Sequence, residues 1–365
     1  DLTREIAAEA GLAVDEAAFH IEMTKQRERA RAERLAKDIS GWSADLFGEL
    51  TAEPTRFDGY ETLSEKARVL ALSDGEELVD AIATDEAGEV KEGVLVVLDK
   101  TPFYAEMGGQ VADHGYLVSG DAKLKVTQVK KTPKGYFVHT CELLDGTIHV
   151  EDEVTASVDE KRRAAICRNH TATHLLQKAL REVLGEHVHQ AGSYQDDRLT
   201  HFDFTHFSAV TPAELAEVER RVNEKIYEAL PVTVKNLPIE EAKKMGAMAL
   251  FGEKYGNVVR VVDAGGWSTE FCGGTHVTNT AQIGCFKILS ESSVAAGIRR
   301  VEATTAFGVL DLLDDRTETL AKTAVALKAN NLKDAPARAE ALAAELKETA
   351  KQLDILKAQV AASKI

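Results

Sequence analysis

The strongest constraint on how this chain can fold is a pair of short clusters roughly a hundred residues apart. The first is Asn169-His170-Thr171-Ala172-Thr173-His174, running into Leu175-Leu176, and the second is Cys272-Gly273-Gly274-Thr275-His276. Histidines four apart on a helix project from one face. Glycines beside Cys272 let the backbone bend around a ligand. Three imidazole nitrogens and one sulfur suit zinc. A metal gripped by His170, His174, Cys272 and His276 requires the fold to bring a distant loop onto a helix. Competing donors lie near in sequence: Cys167, and His187 and His189, which share a face if their segment is a strand. In HExxH the glutamate after the first histidine is a protease's base, and here Thr171 stands in that position. The plainer alternative is a closed zinc that only staples helix to loop.

Length and charge narrow the setting. The 365 residues are enough for two or three domains, and 44% hydrophobic with 28% charged content is ordinary for a globular chain. No apolar run is long enough to span a bilayer, and no signal peptide is evident. The chain opens at Asp1 without a methionine, so we expect a piece of a longer protein. Four scattered cysteines (Cys141, Cys167, Cys272, Cys285) predict free thiols and a cytoplasmic setting. A net charge of −16 argues against nucleic acid as a whole-molecule effect. Yet Lys161, Arg162, Arg163, Arg168, Lys178 and Arg181 crowd the first histidine cluster without an acid, Lys123, Lys125, Lys130, Lys131 and Lys134 form a second basic group and Arg299-Arg300 a third; any one of these groups by itself reads as a solvated face.

The pattern predicts an α+β chain in four regions. Residues 1–50 read as helices, with Asp15 as a candidate cap. Residues 51–158 read as a small antiparallel β-barrel, from short strands and a hairpin around Thr132-Pro133-Lys134-Gly135. Residues 159–306 mix a helix over 164–184, strands over 187–193 and 199–207, a helix over 212–230 and further strands. Residues 307–365 are helical with a break near Asn330-Asn331. There Leu342, Leu346, Leu353 and Leu356 follow near-heptad spacing that suits a helical hairpin, a coiled coil or self-association.

Several segments resemble the editing domain of bacterial alanyl-tRNA synthetases: 168–176 (RNHTATHLL), 202–207 (FDFTHF), 270–284 (EFCGGTHVTNTAQIG), 101–115 (TPFYAEMGGQVADHG) and 290–305 (SESSVAAGIRRVEATT). The paired motifs alone occur also in freestanding editing proteins and in threonyl-tRNA synthetases; the preceding barrel and both helical flanks favour the alanyl family. The resemblance implies hydrolysis of serine or glycine wrongly esterified to alanine tRNA. It implies zinc on His170, His174, Cys272 and His276, Gln190 lining the pocket, and Gly108-Gly109 as a glycine motif facing the editing core. Met107 and His201 depart from the residues common there, so no role is carried onto them. The motifs that activate alanine are absent, so this segment is not expected to charge tRNA.

The chemistry is coherent with that expectation. Zinc can activate water or polarise an ester carbonyl if a coordination position is open, which makes a loosely held Cys272 a candidate catalytic residue beside Gln190; the alternative is a zinc that grips and orients the amino group of the substrate. An alanine site cannot strongly reject glycine or serine, so a second site must destroy the errors. A group that hydrogen-bonds the serine hydroxyl, from Gln190 or Thr173, discriminates by about 10⁴. Thr171 and Thr173 are two apart and cannot both face the metal; their alternative role is helix capping. Arg168, Arg299 and Arg300 are the candidate phosphate contacts. The rival functions are a zinc-stabilised tRNA-binding module without hydrolysis and a general metallohydrolase.

Overall fold

The structure, a computed structural model, describes residues 46–84, 89–245 and 256–362. The helices expected before residue 46 lie outside the described residues. The chain divides into two compact units: Asp1–Ala105 with His114–Val158, and Glu106–Asp113 with Asp159–Ile365.

The first unit is a six-stranded antiparallel barrel of β1 (Ser64–Ser73), β2 (Lys91–Leu98), β3 (Gly115–Ser119), β4 (Ala122–Lys131), β5 (Phe137–Asp145) and β6 (Glu153–Val158). The order is β6-β3-β4-β5-β2-β1, and β1 pairs back to β6 to close it. Closure leaves these six strands without a free edge. Alternation explains the inward face: Ala122, Leu124 and Val126 on β4 and His139, Cys141 and Leu143 on β5 are buried. Gly135, at φ 90°, ends the β4–β5 turn in the left-handed conformation that glycine tolerates best.

The second unit opens with α1 (Glu160–Leu184), capped by Asp159, whose side chain accepts from Arg162 N, and ended at Gly185 at φ 116°. There follow β7 (Gln190–Gln195), β8 (Thr200–Thr205), α2 (Pro212–Tyr227), β9 (Val232–Pro238), β10 (Val258–Ala264), β11 (Ser268–Phe271), β12 (Phe286–Ala295), β13 (Ile298–Thr305), α3 (Phe307–Ala326) and α4 (Ala335–Ala362). One sheet has the order β7-β8-β13-β12 and another β9-β10-β11. Leu175, Leu176, Ala179 and Leu180 of α1 join Phe202 and Phe204 of β8 and Val218, Val222 and Ile226 of α2 in one core. A capping box between Thr211 and Glu214 and a proline in the first turn start α2.

Two local expectations change. The strand expected from His187 begins only at Gln190. The chain turns after Gly185, and His187 stacks on His206 instead, ring centroids 5.1 Å apart. Thr171 and Thr173 do not cap α1; both sit mid-helix and donate to the carbonyl four residues back, Cys167 and Asn169, at 2.8 Å each. The C-terminal helices are separated at 327–334, and Leu346, Leu353 and Leu356 of α4 are exposed.

Candidate metal centre

The helix and the loop after β11 bring the predicted donors together. His170 and His174 are one turn apart on α1, and the His276 ring centroid lies 4.5 Å from His170 and 4.7 Å from His174. Cys272 Sγ is 3.4 Å from His170 Nε2 and 3.3 Å from His276 Nε2. The donor atoms of all four residues lie within 4.8 Å of one another. A tetrahedral ion with bonds of about 2.3 Å to sulfur and about 2.0–2.1 Å to nitrogen separates those atoms by about 3.5 Å. The geometry and the donor chemistry therefore fit a metal ion. Cys167 is not part of this group: its thiol donates to Thr275 Oγ1 at 3.3 Å.

Electrostatics prepare the donors. Burial, then the charges of His174 and Arg260, hold His170 well below the usual histidine range. Burial and Arg260 push His174 down to about 3. Burial, then His170, His174 and Arg260, do the same to His276. All three rings are neutral near pH 7, which is the form that binds a metal. Glu270 Oε2 lies 3.8 Å from His174 Nε2. Loss of solvent pushes its carboxyl up to about 8, against the hydrogen bond from Ser268 and the charge of Arg181. A protonated carboxyl beside a neutral imidazole keeps the buried pair uncharged.

The surrounding polar groups hold the donors in place. Arg260 Nη1 donates to Cys272 O and to Gly274 O, both at 2.8 Å, tying down the loop. The single hydroxyl proton of Thr171 goes to Cys167 O, so its oxygen accepts from His276 Nδ1 at 3.1 Å. That leaves His276 Nε2 bare and facing Cys272. Thr173 faces away, its hydroxyl paired with Thr200 at 2.7 Å. Gln110, entirely buried, reaches His170 and Thr275. Sequence reasoning missed Gln110, Arg260 and Glu270. For Gln110 a signal existed, the adjacent glycines before it, which mark a tight turn.

The other predicted residues sit as follows. Gln190, on β7, is half-buried and its Nε2 donates to Ser193 Oγ at 3.1 Å. Gly109 lies against Ser193: a Cβ there would meet Ser193 O at 2.6 Å, whereas one at Gly108 would meet nothing within 4 Å. Arg299 is bonded to Glu291 and Arg300 to Asp203. Of the basic group on α1, Arg162, Arg163, Lys178 and Arg181 are paired with carboxylates. Arg168 is different: its buried Nε has no partner among the described residues. It lines a cavity of about 640 Å³ with Arg198, Thr304 and Phe307. His201 lies 3.3 Å from Glu302, and Met107 is exposed.

Comparison with known proteins agrees with this arrangement. Residues 1–162 match the family of class II (A) tRNA synthetases. Residues 259–302, which include both loop donors, match the threonyl and alanyl tRNA synthetase second additional domain. The chain is 46% identical over 366 residues to the alanine–tRNA ligase of Acetivibrio thermocellus, covering 100% of this chain and 41% of that protein. It is 46% identical over 360 residues to that of Shouchella clausii and 44% to that of Halalkalibacterium halodurans, covering 99% of this chain and 40% of each. The chain thus spans about two fifths of the length of the curated relatives it matches. No described helix is long and apolar enough to cross a membrane. With four possible metal donors within 4.8 Å of one another and similarity that runs over the whole of this chain and about two fifths of these ligases, the chain belongs to the alanyl-tRNA synthetase family.

Proposed function

We propose that the second unit is a zinc-dependent editing hydrolase, which cleaves serine or glycine wrongly esterified to alanine tRNA. The observation that carries this reading is the convergence of His170, His174, Cys272 and His276 within 4.8 Å. These four residues would hold zinc, which when bound supplies Lewis acidity to an ester carbonyl or to water. His170 and His174 are buried, while Cys272 and His276 are only partly so. The tRNA terminus would therefore approach from the Cys272–His276 side. Gln190 would use its amide to hydrogen-bond the serine hydroxyl, a contact that alanine cannot return. Arg168, whose buried Nε has no partner among the described residues, would meet a phosphate in the cavity that it lines with Arg198 and with Asp196, Asp197 and Asp311. Arg299 and Arg300 would have to exchange Glu291 and Asp203 for RNA.

A second reading is a zinc-stabilised tRNA-binding module without hydrolysis. It draws on the completeness of the donor set, since four protein donors fill a tetrahedral shell. Mischarged seryl-tRNA separates the two. Ester loss should accelerate with the chain over buffer, and His174→Ala should lose zinc and deacylation together. No acceleration by the zinc-loaded chain refutes the editing reading. Deacylation that persists in a zinc-depleted His174→Ala protein would make the metal structural. Hydrolysis of simple esters without RNA would indicate a general metallohydrolase instead.

A further inference from the structure

We propose that Gln110 is a positioning residue that decides which nitrogen of His170 faces the metal, and that the glycine pair before it exists to place it. The proposal rests on the zinc reading above. Gln110 receives a backbone donor, Thr275 N, at 2.8 Å. A backbone N–H only donates, so the side-chain atom facing it is the carbonyl oxygen Oε1. The same Oε1 is 2.7 Å from His170 Nδ1. An amide oxygen carries no hydrogen, so Nδ1 must supply the proton of that bond. A neutral imidazole has one N–H, which leaves His170 Nε2 bare, 3.4 Å from Cys272 Sγ.

The other end of the amide completes the link. Gln110 Nε2 donates to Thr275 Oγ1 at 2.9 Å. One side chain thus ties the helix donor His170 to the loop that carries Cys272 and His276. Gln110 is fully buried, so these bonds meet no competition from water.

The turn explains how Gln110 arrives there. Met107 and Gln110 exchange backbone hydrogen bonds, 3.2 and 3.1 Å, around Gly108 at φ 60° and Gly109 at φ 84°. Two central residues with positive φ define a type I′ turn, which favours glycine at both positions. The turn is pinned to β7 by Gln195 N donating to Gly109 O at 2.8 Å and Val111 N to Gln195 O at 3.1 Å. At Gly109 a Cβ would collide with Ser193. The glycines place the glutamine through the backbone.

The test uses Gln110→Met and Gln110→Glu in the full chain. Zinc affinity is measured by competition with a chromophoric chelator. The His170 tautomer is read in metal-free protein by long-range ¹H–¹⁵N NMR. The glutamate keeps an acceptor for both His170 Nδ1 and Thr275 N, so its affinity should stay within about threefold of wild type, with Nδ1 protonated. The methionine should weaken zinc by about 10- to 100-fold, the range for lost outer-shell partners, and let the tautomers mix. Wild-type affinity in Gln110→Met overturns the proposal. So does an Nε2–H tautomer of His170 in the wild-type protein, a result that needs no variant to fold. If the wild-type chain binds no zinc, the zinc reading fails, and the NMR tautomer still decides whether Gln110 directs His170.

Discussion

Gly274 offers a sharp test of the metal centre because its neighbour Gly273 provides the control. A Cβ built on Gly274 would lie 2.1 Å from His170 Cε1, 2.4 Å from His170 Nδ1 and 2.8 Å from Gln110 Oε1. Ordinary contact begins at 3.4 Å, so Gly274→Ala requires a retreat of 3.4 − 2.1 = 1.3 Å. The loop is poorly able to give, because Arg260 holds both Cys272 O and Gly274 O. The imidazole is the part that must move. Metal–ligand distances tolerate only about 0.2 Å, so His170 is lost as a donor. Removal of a donor should cost at least as much as the loss of an outer-shell partner, hence about 100-fold in zinc affinity, or about 3 kcal/mol. Gly273 has nothing within 4 Å of a Cβ, so Gly273→Ala should bind within about twofold of wild type. Chelator competition measures both, and X-ray absorption counts the nitrogen and sulfur ligands. Wild-type affinity in Gly274→Ala, with four protein ligands still on the ion, would show that His170 does not stand where the donor geometry places it.

Two further predictions concern stability. His139 is buried in the barrel, donates from Nδ1 to Val96 O at 3.0 Å, and loss of solvent pushes it down to about 4. Its folded pKa lies below the unfolded value of about 6.5, so the unfolded chain takes up the proton first. Stability is then complete above about pH 6.5 and falls by about 1.4 kcal/mol per unit as the pH drops towards 4. Amide exchange of β2 and β5, corrected for intrinsic rates, should show this slope in wild type and not in His139→Gln, and an equal slope in both refutes the assignment. In the second unit Arg163 Nε bonds both carboxylate oxygens of Asp113, at 2.9 and 3.0 Å, with the side chains 5% and 1% exposed. Asp113→Ala removes the carboxylate from this buried ion pair and should cost about 3–5 kcal/mol in urea unfolding. A cost below about 1 kcal/mol would mean that the pair is effectively solvated.

Much of the architecture was legible because it depends on local periodicity. The buried alternation of Phe202 and Phe204, the apolar spacing of Val218, Val222 and Ile226, and the Thr132–Gly135 turn are each set by neighbours in sequence. The start of β7 was not. His187 and His189 alternate as a strand should, but the ladder begins at Gln190, and the stacking of His187 on His206 depends on a partner 19 residues away. The Arg162–Asp197 and Arg163–Asp113 pairs follow the same rule, while Arg181 pairs with Glu186 just past the helix end. On paper these arginines crowd the first histidine cluster without an acid among them, and in the fold they pair with acids that the helix itself does not carry.

The centre divides along the same line. Its candidate donors could be picked out because a metal would restrict the chemistry so tightly: few side chains offer a soft sulfur or an imidazole nitrogen, and a helix fixes the spacing of two of them. The groups that orient the donors are bound by no such restriction. An acceptor for an imidazole N–H can be an amide, a hydroxyl, a carboxyl or a backbone carbonyl, and here it is Gln110 for His170 and Thr171 for His276. Gln110 sits 60 residues from its histidine, so no helical or strand period links them. What the sequence does carry is the turn, because positive φ at two successive positions narrows the choice of residue as sharply as a metal does. Gly108 and Gly109 are therefore the readable trace of a hydrogen bond made by the residue after them.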